Sequence, residues 1–576
     1  MTRESFNIAS LLTEAAGRWP DRLAVVASHR PDVLGRERLS YRELDESSSV
    51  LAAELVKGDV PPGSRIIVMV RPGLDFVIIV FGLFKAGLVP VMVDPGMGLK
   101  RMLRCLAEGR PSGIVGLPVA HLLSLTAPVY FRGIKVRVTV GRRWGWGGRT
   151  FAKIMKGAVA PEPKPGPDGR AEAGPGPQFK LPPLPLPTGA DDMAALLFTS
   201  GSTGPAKGVV YTHAMFRAQV EAISQGLGLR PGGIDLATFP LFGLFAPALG
   251  LTSIIPDINP GRPGRADPRR IVSPIIKYNV TSMFASPTLL DKVSRFAHEH
   301  RLSLPSLRLV ISAGAPVSPR VAAAFASLIS GEARLLTPYG ATEGVPLTII
   351  DAGEISRETK LMTEQGLGMC VGRPLPGVHL GIIRIKDGAI ERWKDELRLP
   401  MGEIGEIIAR GPMVSAQYFE RPRDTALSVI PDPGASPEGF WRRMGDVGWM
   451  DAEGRLWFCG RKAHRVVTEQ GTLFSIPCEA IFNNHPQVRR SALVGVGPLG
   501  RQKPVIIIEP HSSLKSPSWS ALIEELGALA KANPRTIHIS SFLKCRSFPV
   551  DVRHNAKINR EKLAIWAVRG LMTPAR

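Results

Sequence analysis

Apolar positions in the first part of the chain alternate between helix-like and strand-like spacing. Ser40 starts a segment that predicts a helix through Leu55, and residues 65–70 form an apolar run that predicts a strand. Residues 72–86 predict a second helix, and residues 89–94 predict a second strand. Because strands and helices alternate over this region, the pattern predicts an α/β fold with a largely parallel sheet.

The end of the chain shows the same alternation on a smaller scale. Residues 491–494 and 505–508 predict strands, and Trp519 to Ala532 predicts a helix. Residues 495–500 match G-x-G-x-x-G, but Pro498 and the strand-like run after it exclude the helix that a dinucleotide-binding loop requires. The length of this last segment suits a small α+β domain.

A chain of 576 residues is too long for a single core, so at least two domains are expected. We place the boundary at a turn, with residues 1–460 in an N-terminal domain and residues 461–576 in a C-terminal domain. Residues 158–188 are rich in proline and glycine, which predicts a surface insertion without a helix or a central strand. A ligand for a proline-recognition module is the alternative interpretation of this insertion.

One uncharged stretch, Leu236 to Pro256, is about long enough to cross a bilayer. Pro240, Pro247 and Pro256 would break a helix there, so the stretch predicts a buried wall of an apolar pocket instead. The five cysteines are far apart and lack any C-x-x-C pair, which favours neither a disulfide framework nor a zinc site. Since no signal peptide is visible, a reducing cytoplasm is the expected location.

The formal net charge of +22 raises the question of a nucleic-acid partner. Lys and Arg residues occur along the whole chain, and no recognisable nucleic-acid-binding motif is among them, so we expect no such partner. A positive field that favours ATP or an anionic surface, and an arginine-rich composition without a specific role, are the remaining explanations.

A loop rich in glycine and hydroxyl groups follows the apolar run 193–198 and predicts a phosphate-binding site. Glycines let backbone N–H groups approach a phosphate, hydroxyls donate hydrogen bonds, and a lysine supplies positive charge. The loop is not a Walker motif, because Pro205 follows its last glycine where that motif has Lys after Gly. The candidate residues are Thr199, Ser200, Gly201, Ser202, Thr203, Gly204 and Lys207.

This loop resembles the phosphate loop of the acyl-adenylating, AMP-binding superfamily, and further segments resemble that superfamily's other motifs in the same order. The resemblance implies a large adenylation domain of mixed sheets and helices, a small mobile C-terminal lid domain, and the use of ATP and Mg²⁺. It implies that Gly314, Ala315, Pro316, Tyr339 and Gly340 border the adenine and the acyl pocket, and that Asp446 and Arg461 bind the ribose. It also implies that Thr342 holds the α-phosphate, that Glu343 binds the metal, and that Lys557 joins the substrate carboxylate to the α-phosphate.

Several positions differ from ordinary CoA ligases of that superfamily. Ala463 replaces an Asp or Lys after the hinge arginine, Gly243 replaces a gate aromatic or histidine, and Asn555-Ala556 replaces Thr-Gly. Residues 89–96, 239–257, 459–466 and 548–566 instead resemble the olefin β-lactone synthetases of bacterial long-chain olefin biosynthesis.

The resemblance to this branch implies a 2-alkyl-3-hydroxy fatty acid as substrate, whose own 3-hydroxyl attacks the activated carboxyl. The product would be a β-lactone, released with AMP. The resemblance also implies a thiolase-like condensing enzyme, a reductase and a β-lactone decarboxylase that work alongside, with assembly into a complex as one arrangement.

Two other functions remain open at this stage. A long-chain fatty acid–CoA ligase or a fatty acyl-AMP ligase would use the same adenylation motifs with a different second step. A non-enzymatic adenylate-binding protein is the alternative from another class, and the presence of Lys557, Glu343 and the complete phosphate loop argues against it.

Overall fold

The computed structural model describes residues 6–28, 30–58, 60–157, 184–199, 205–239, 242–315, 317–435, 439–511, 519–550 and 558–572. The predicted insertion at 158–188 lies mostly outside these ranges.

The strands, in chain order, are β1 (Leu23–Ala27), β2 (Arg38–Ser40), β3 (Arg65–Met69), β4 (Val89–Val93), β5 (Gly113–Gly116), β6 (Val136–Thr139), β7 (Arg149–Thr150), β8 (Met193–Thr199), β9 (Lys207–Thr212), β10 (Ile234–Ala237), β11 (Thr252–Ile255), β12 (Ser282–Ala285), β13 (Leu309–Ser312), β14 (Arg334–Ala341), β15 (Gly344–Asp351), β16 (Met369–Cys370), β17 (Arg373–Pro374), β18 (His379–Ile383), β19 (Gly405–Arg410), β20 (Val429–Pro431), β21 (Phe440–Met450), β22 (Leu456–Arg461), β23 (Val466–Thr468), β24 (Gly471–Leu473), β25 (Val488–Val496), β26 (Lys503–Pro510) and β27 (Ser541–Lys544).

The α-helices are α1 (Ser10–Arg18), α2 (Tyr41–Val56), α3 (Leu74–Lys85), α4 (Leu99–Glu108), α5 (Pro118–Thr126), α6 (Phe151–Lys156), α7 (His213–Leu227), α8 (Phe242–Ala248), α9 (Arg269–Tyr278), α10 (Pro287–Glu299), α11 (Pro319–Ala326), α12 (Ala352–Glu354), α13 (Lys360–Glu364), α14 (Pro422–Ser428), α15 (Ser475–Asn483), α16 (Trp519–Ala532) and α17 (Arg560–Met572).

Two large sheets and helices build most of the chain before Arg373. One sheet has nine strands in the order β17-β15-β14-β13-β12-β10-β11-β1-β2, and the other has seven in the order β7-β6-β5-β3-β4-β8-β9. Strands β10 to β14 pair in parallel in the first, and β3 to β6 with β8 pair in parallel in the second. The carboxyl ends of parallel strands meet at one edge of a sheet, where ligands of α/β proteins bind.

Three smaller sheets follow. Strands β16, β22, β21, β19 and β18 form a sheet with β20 paired to β21, β23 pairs with β24, and β25, β26 and β27 form a three-stranded sheet. The predicted fold class, a mixed α/β protein with a smaller α+β part at its C-terminal end, is confirmed. The G-x-G-x-x-G segment connects the antiparallel strands β25 and β26. It is followed by β26 rather than by a helix, which agrees with the prediction that it is not a dinucleotide-binding loop.

Local sequence explains the two helices that pack together in the first core. Ser40 and Glu43 form a reciprocal capping box at the start of α2, with Glu43 N–H donating to Ser40 Oγ (3.2 Å) and Ser40 N–H donating to Glu43 Oε2 (2.7 Å). Helix α3 is buried along its whole length, including Lys85. The Lys85 ammonium group lies 2.6 Å from the Asp45 carboxylate of α2. This ion pair offsets the free-energy cost of burying the lysine charge.

The uncharged stretch Leu236 to Pro256 folds as β10, α8 and β11, so α8 is only seven residues long. Across the ranges that the structure describes, no helix combines the length and the apolar character needed to cross a bilayer.

Candidate active site

The hairpin β8–β9 holds the predicted phosphate loop. Thr199 and Lys207 face each other at the last register position of the antiparallel pair, so the loop between them leaves the carboxyl end of β8. Residues 200–204 lie outside the described ranges, as do Pro316 and Lys557. Lys207 forms an ion pair with Asp424 (2.7 Å) and lies 4.9 Å above the centre of the Tyr418 ring.

The hairpin β14–β15 carries Thr342 and Glu343 at its tip. Ala341 pairs with Gly344, and a Cβ at Gly340 would lie 2.5 Å from the Gly344 carbonyl oxygen, so this tight turn needs glycine at position 340. The Tyr211 hydroxyl donates to the Thr342 carbonyl oxygen at 2.6 Å. Both predicted residues are therefore held at the edge of the nine-stranded sheet.

The Glu343 carboxylate has a tyrosine as its hydrogen-bond partner. The Tyr418 hydroxyl donates to Glu343 Oε1 at 2.6 Å, and the guanidinium carbon of buried Arg442 lies 4.3 Å from the centre of the Tyr418 ring. Burial, and then the Glu343 charge, raise the pKa of Tyr418 above its ordinary value. The hydroxyl therefore stays protonated and fixes the direction of the carboxylate.

Tyr339, Asp446 and Arg461 form a second cluster at the same place. The Tyr339 hydroxyl donates to Asp446 Oδ2 at 2.7 Å, and Arg461 lies 3.0 Å from Asp446 Oδ1. Asp446 and Arg461 face each other across the antiparallel pair β21–β22. The Asp446 charge, with a smaller contribution from the Glu343 charge, raises the pKa of Arg461 above its ordinary value, so the two clusters share one electrostatic environment.

The predicted turn with Gly314 and Ala315 follows β13. Gly314 has a φ of 93°, in the left-handed region that favours glycine, and it directly follows Ala313 in the wall of an apolar cavity. Pro338, which directly precedes Tyr339, lines the same cavity. The cavity therefore borders the segments that carry the predicted nucleotide-binding residues.

The cavity has a volume of about 70 Å³ in this state of the protein. Phe245, Ala246, Leu249 and Leu251 contribute to its wall, which confirms the prediction that the uncharged stretch lines an apolar pocket. Helix α7 supplies Ile223 and Leu227, and β12 supplies Phe284.

Two polar side chains interrupt this apolar wall. Buried Gln219 donates from Nε2 to the Val345 carbonyl oxygen at 2.8 Å, while its Oε1 has no hydrogen-bond partner within the described part of the chain. Asp235 accepts a hydrogen bond from Ser282 Oγ at 2.7 Å, and burial raises the pKa of Asp235 to about 6.

Comparison with known proteins decides the family. A sequence model described as AMP-binding enzyme matches residues 12–419, more than half of the chain. The chain belongs to the AMP-binding enzyme family. An olefin beta-lactone synthetase from Xanthomonas campestris pv. campestris is 44% identical over 568 residues, covering 98% of each chain. A long-chain-fatty-acid–CoA ligase from Escherichia coli O6:H1 is 26% identical, covering 89% of this chain and 87% of the ligase.

Two solved structures share the fold of this chain. An amide bond synthetase from Marinactinospora thermotolerans aligns with a TM-score of 0.74 at 22% identity, covering 97% of this chain and 99% of that one. An o-succinylbenzoate coenzyme A synthetase from Bacillus subtilis, in complex with AMP, aligns with a TM-score of 0.69 at 20% identity, covering 96% and 97%.

For this AMP-binding enzyme, sequence reasoning missed the side chains that hold the predicted residues in place. Tyr418, Asp424 and Tyr211 contact Glu343, Lys207 and Thr342, respectively. Asp424 and Lys207 are more than two hundred residues apart, so no local spacing connects them. The available sequence signal for Tyr418 was the aromatic pair Tyr418-Phe419, which stands shortly before Pro422 at the start of α14.

Proposed function

We propose that this protein uses ATP to activate a long-chain 2-alkyl-3-hydroxy fatty acid and then closes the acyl-adenylate to a β-lactone. In the first step a carboxylate oxygen bonds to the α-phosphorus, and pyrophosphate leaves with the electron pair of the broken P–O bond. In the second step the 3-hydroxyl oxygen bonds to the carboxyl carbon, AMP leaves with the electron pair of the C–O bond, and the hydroxyl proton is released to water.

The observation that carries this proposal is the difference in identity between two groups of relatives. The olefin beta-lactone synthetase from Xanthomonas is 44% identical over almost the whole chain, whereas the long-chain-fatty-acid–CoA ligase is 26% identical. Two positions also differ from the residues of ordinary CoA ligases, namely Gly243 and the exposed Ala463, which follows Lys462.

The two clusters supply the groups that such a reaction needs, because catalysis without a covalent enzyme intermediate depends on position and charge. In the proposal, Asp446 and Arg461 bind the ribose, Tyr339 packs near the adenine, and Thr342 with Lys207 and the phosphate loop holds the phosphates. Lys557 bridges the carboxylate and the α-phosphate. The apolar cavity beside Ala313 and Pro338 takes an alkyl chain.

Magnesium is part of the proposal, and Glu343 is its expected protein ligand. Mg²⁺ is usually bound by one or two carboxylates together with substrate phosphates and water, so the single carboxylate at the β14–β15 tip fits this chemistry. When bound, the ion would neutralise charge on the pyrophosphate. Tyr418 orients the carboxylate that would hold it.

The domain boundary and the location remain proposals as well. The six-stranded sheet ends at Arg461 with β22, and the strands that follow belong to separate sheets, which supports a division into residues 1–460 and 461–576. A reducing cytoplasm agrees with five cysteines that are all unpaired. We include work alongside a condensing enzyme, a reductase and a β-lactone decarboxylase in the proposal.

The test compares two acids by mass spectrometry, each with ATP and Mg²⁺ and with or without CoA. A 2-alkyl-3-hydroxy acid should give β-lactone and AMP at the same rate without CoA. The same acid without its 3-hydroxyl should stop at the acyl-adenylate, because no nucleophile is in reach. Efficient thioester formation from the simple fatty acid would overturn the lactone proposal in favour of a CoA ligase.

Lys557→Ala provides the catalytic control. It should abolish pyrophosphate release at saturating acid and leave ATP affinity within about tenfold, because the lysine acts mainly in the transition state. Lys562→Ala, which removes a lysine from an exposed position on α17, is the matched variant and should retain activity.

A further inference from the structure

Half of the net positive charge of this protein lies in one tenth of its sequence. Residues 99–157 contain twelve Lys and Arg residues and a single acidic residue, Glu108, which leaves a formal charge of +11 out of +22. Basic residues occur along the whole chain, but few acidic residues offset them in this segment. Most of these positions are exposed on α4, α6 and the loops around β6.

The same segment exposes apolar side chains along one side of α5. Val119, Leu122 and Leu125 are 62%, 44% and 52% exposed, and their spacing of three residues places them in one stripe. Val129, three residues after the end of the helix, is 57% exposed. Helix α5 contains no charged residue, while its opposite side buries Ala120, His121 and Ser124.

An exposed tryptophan is connected to α5 through a buried aromatic pair. His121 of α5 stacks on Trp146 with ring centres 5.4 Å apart, and Trp144 contacts Trp146 at 5.9 Å. Trp146 is buried and donates from Nε1 to Thr139 Oγ1 at 2.9 Å, whereas Trp144 is 60% exposed. The buried ring therefore holds the exposed ring next to α5.

Exposed basic side chains are close in sequence to Trp144 and to Val129. Arg142 and Arg143 lie next to Trp144, and Arg132 and Lys135 follow Val129; all four are exposed. None of the four forms an ion pair with an acidic side chain within the described residues, whereas Arg110 nearby pairs with Glu420 at 2.9 Å. We call Val119, Leu122, Leu125, Val129 and Trp144 with these four basic residues the α5 surface.

We propose that the α5 surface docks this protein on an anionic lipid bilayer. A helix that lies in the membrane interface presents an apolar stripe to the acyl chains and basic residues to the headgroups. Tryptophan is enriched at that depth, and each Lys or Arg near an anionic leaflet adds favourable electrostatic energy. The unpaired positive charge around an apolar stripe is complementary to anionic lipid.

The α5 surface begins at the edge of the seven-stranded sheet where the predicted phosphate loop also begins. Val119 follows β5 and Trp144 follows β6, and both strands run parallel to β8, whose carboxyl end starts the predicted phosphate loop. The start of the α5 surface is thus at the same sheet edge as the candidate active site. Docking would bring that site near the bilayer into which long-chain acids partition.

The test is co-sedimentation of the full-length protein with vesicles, without ATP or fatty acid, so its outcome is independent of the proposed reaction. Vesicles with about one third phosphatidylglycerol in phosphatidylcholine should bind the protein, and binding should weaken from 0.1 to 0.5 M salt. Arg142→Gln with Arg143→Gln should lower the partition coefficient about 30-fold, the effect of two charges near an anionic leaflet. Leu122→Ser with Leu125→Ser should lower it at least about tenfold.

The matched control removes two exposed charges elsewhere. Lys531→Gln with Arg546→Gln changes the net charge equally and should bind the vesicles as the unchanged protein does. Equal loss of binding in this control, equal binding to pure phosphatidylcholine, or unchanged binding of both α5-surface variants would overturn the proposal. The proposal would also be overturned if the protein did not bind vesicles but bound poly-glutamate through Arg142 and Arg143. That result would assign the surface to an acidic protein partner.

Discussion

At the scale of single residues, Gln219 is a side chain of the candidate site whose hydrogen bonding is incomplete. Its Nε2 is used by the Val345 carbonyl oxygen, but its buried Oε1 has no partner among the described residues. An unsatisfied buried acceptor is costly, and in a ligand cavity it favours a donor on the ligand. In the proposed reaction that donor is the substrate's 3-hydroxyl, which must be oriented toward the activated carboxyl.

We therefore expect Gln219→Leu to separate the two steps of the proposed reaction. Pyrophosphate release with a simple fatty acid should stay within about threefold, while β-lactone formation should fall about tenfold, the effect of one hydrogen bond. Both rates are measured by quenched-flow sampling and mass spectrometry. Equal losses in the two steps would mean that Gln219 acts only through packing.

At the scale of helices and strands, most of what the sequence predicted depends on neighbouring residues. Helix α2 covers nearly the segment from Ser40 to Leu55 that the apolar spacing predicts, and α16 covers Trp519–Ala532 as the spacing predicts. The pairing of distant elements was not predictable from spacing. The ion pair between Lys207 and Asp424 joins β9 to α14, and only the folded chain brings them together.

The candidate site divides in the same way. Motif order predicted that Tyr339, Asp446 and Arg461 belong to one site, and Tyr339 and Arg461 each lie within hydrogen-bond or ion-pair distance of Asp446. The partners that orient the site were not predicted, because Arg442 has no local pattern that marks it and the aromatic pair at Tyr418 does not by itself indicate the contact with Glu343. Their roles follow from burial and cross-strand packing.

Glu406 connects two elements around the proposed domain boundary. It is buried in β19 with Arg443 of β21 at 2.7 Å, and Lys462, directly after β22, lies 3.0 Å from its other oxygen. Glu406→Gln should destabilise the protein by about 3–5 kcal/mol, because the Arg443 charge stays buried without a counter-charge. Differential scanning calorimetry should show a lower midpoint than for Glu403→Gln, an exposed position just before β19. Equal midpoints would show that Lys386 and Gly388 carbonyl groups suffice to hold Arg443.

At the scale of the whole molecule, the N-terminal segment closes the junction between distant parts of the chain. Asn7 donates to the Phe84 carbonyl oxygen at 2.7 Å and to that of Leu186 at 3.0 Å. The Ile8 N–H donates to Nδ1 of His213, the first residue of α7, at 3.1 Å. This last bond requires a ring nitrogen without a proton, so it makes the junction sensitive to pH.

Burial lowers the pKa of His213 to about 4, well below the value of about 6.5 for an unfolded histidine. Between about pH 4 and pH 6.5, the His213 ring is protonated in the unfolded chain and neutral in the folded chain. The stabilising contribution is therefore complete above pH 6.5 and declines as the pH falls toward 4, by up to about 3 kcal/mol. His213→Gln keeps an acceptor for Ile8 but removes the titration, so its thermal midpoint should fall less between pH 7.5 and 4.5. A second buried histidine does not affect this comparison. Burial, and then the charges of Arg560 and Arg461, lower the pKa of His464 to about 3. His464 is present in both proteins, so its contribution cancels in the difference between them.

His300→Gln, at an exposed position, is the control. If His213→Gln had the same pH dependence as the unchanged protein, His213 would not contribute to the acid sensitivity of the fold.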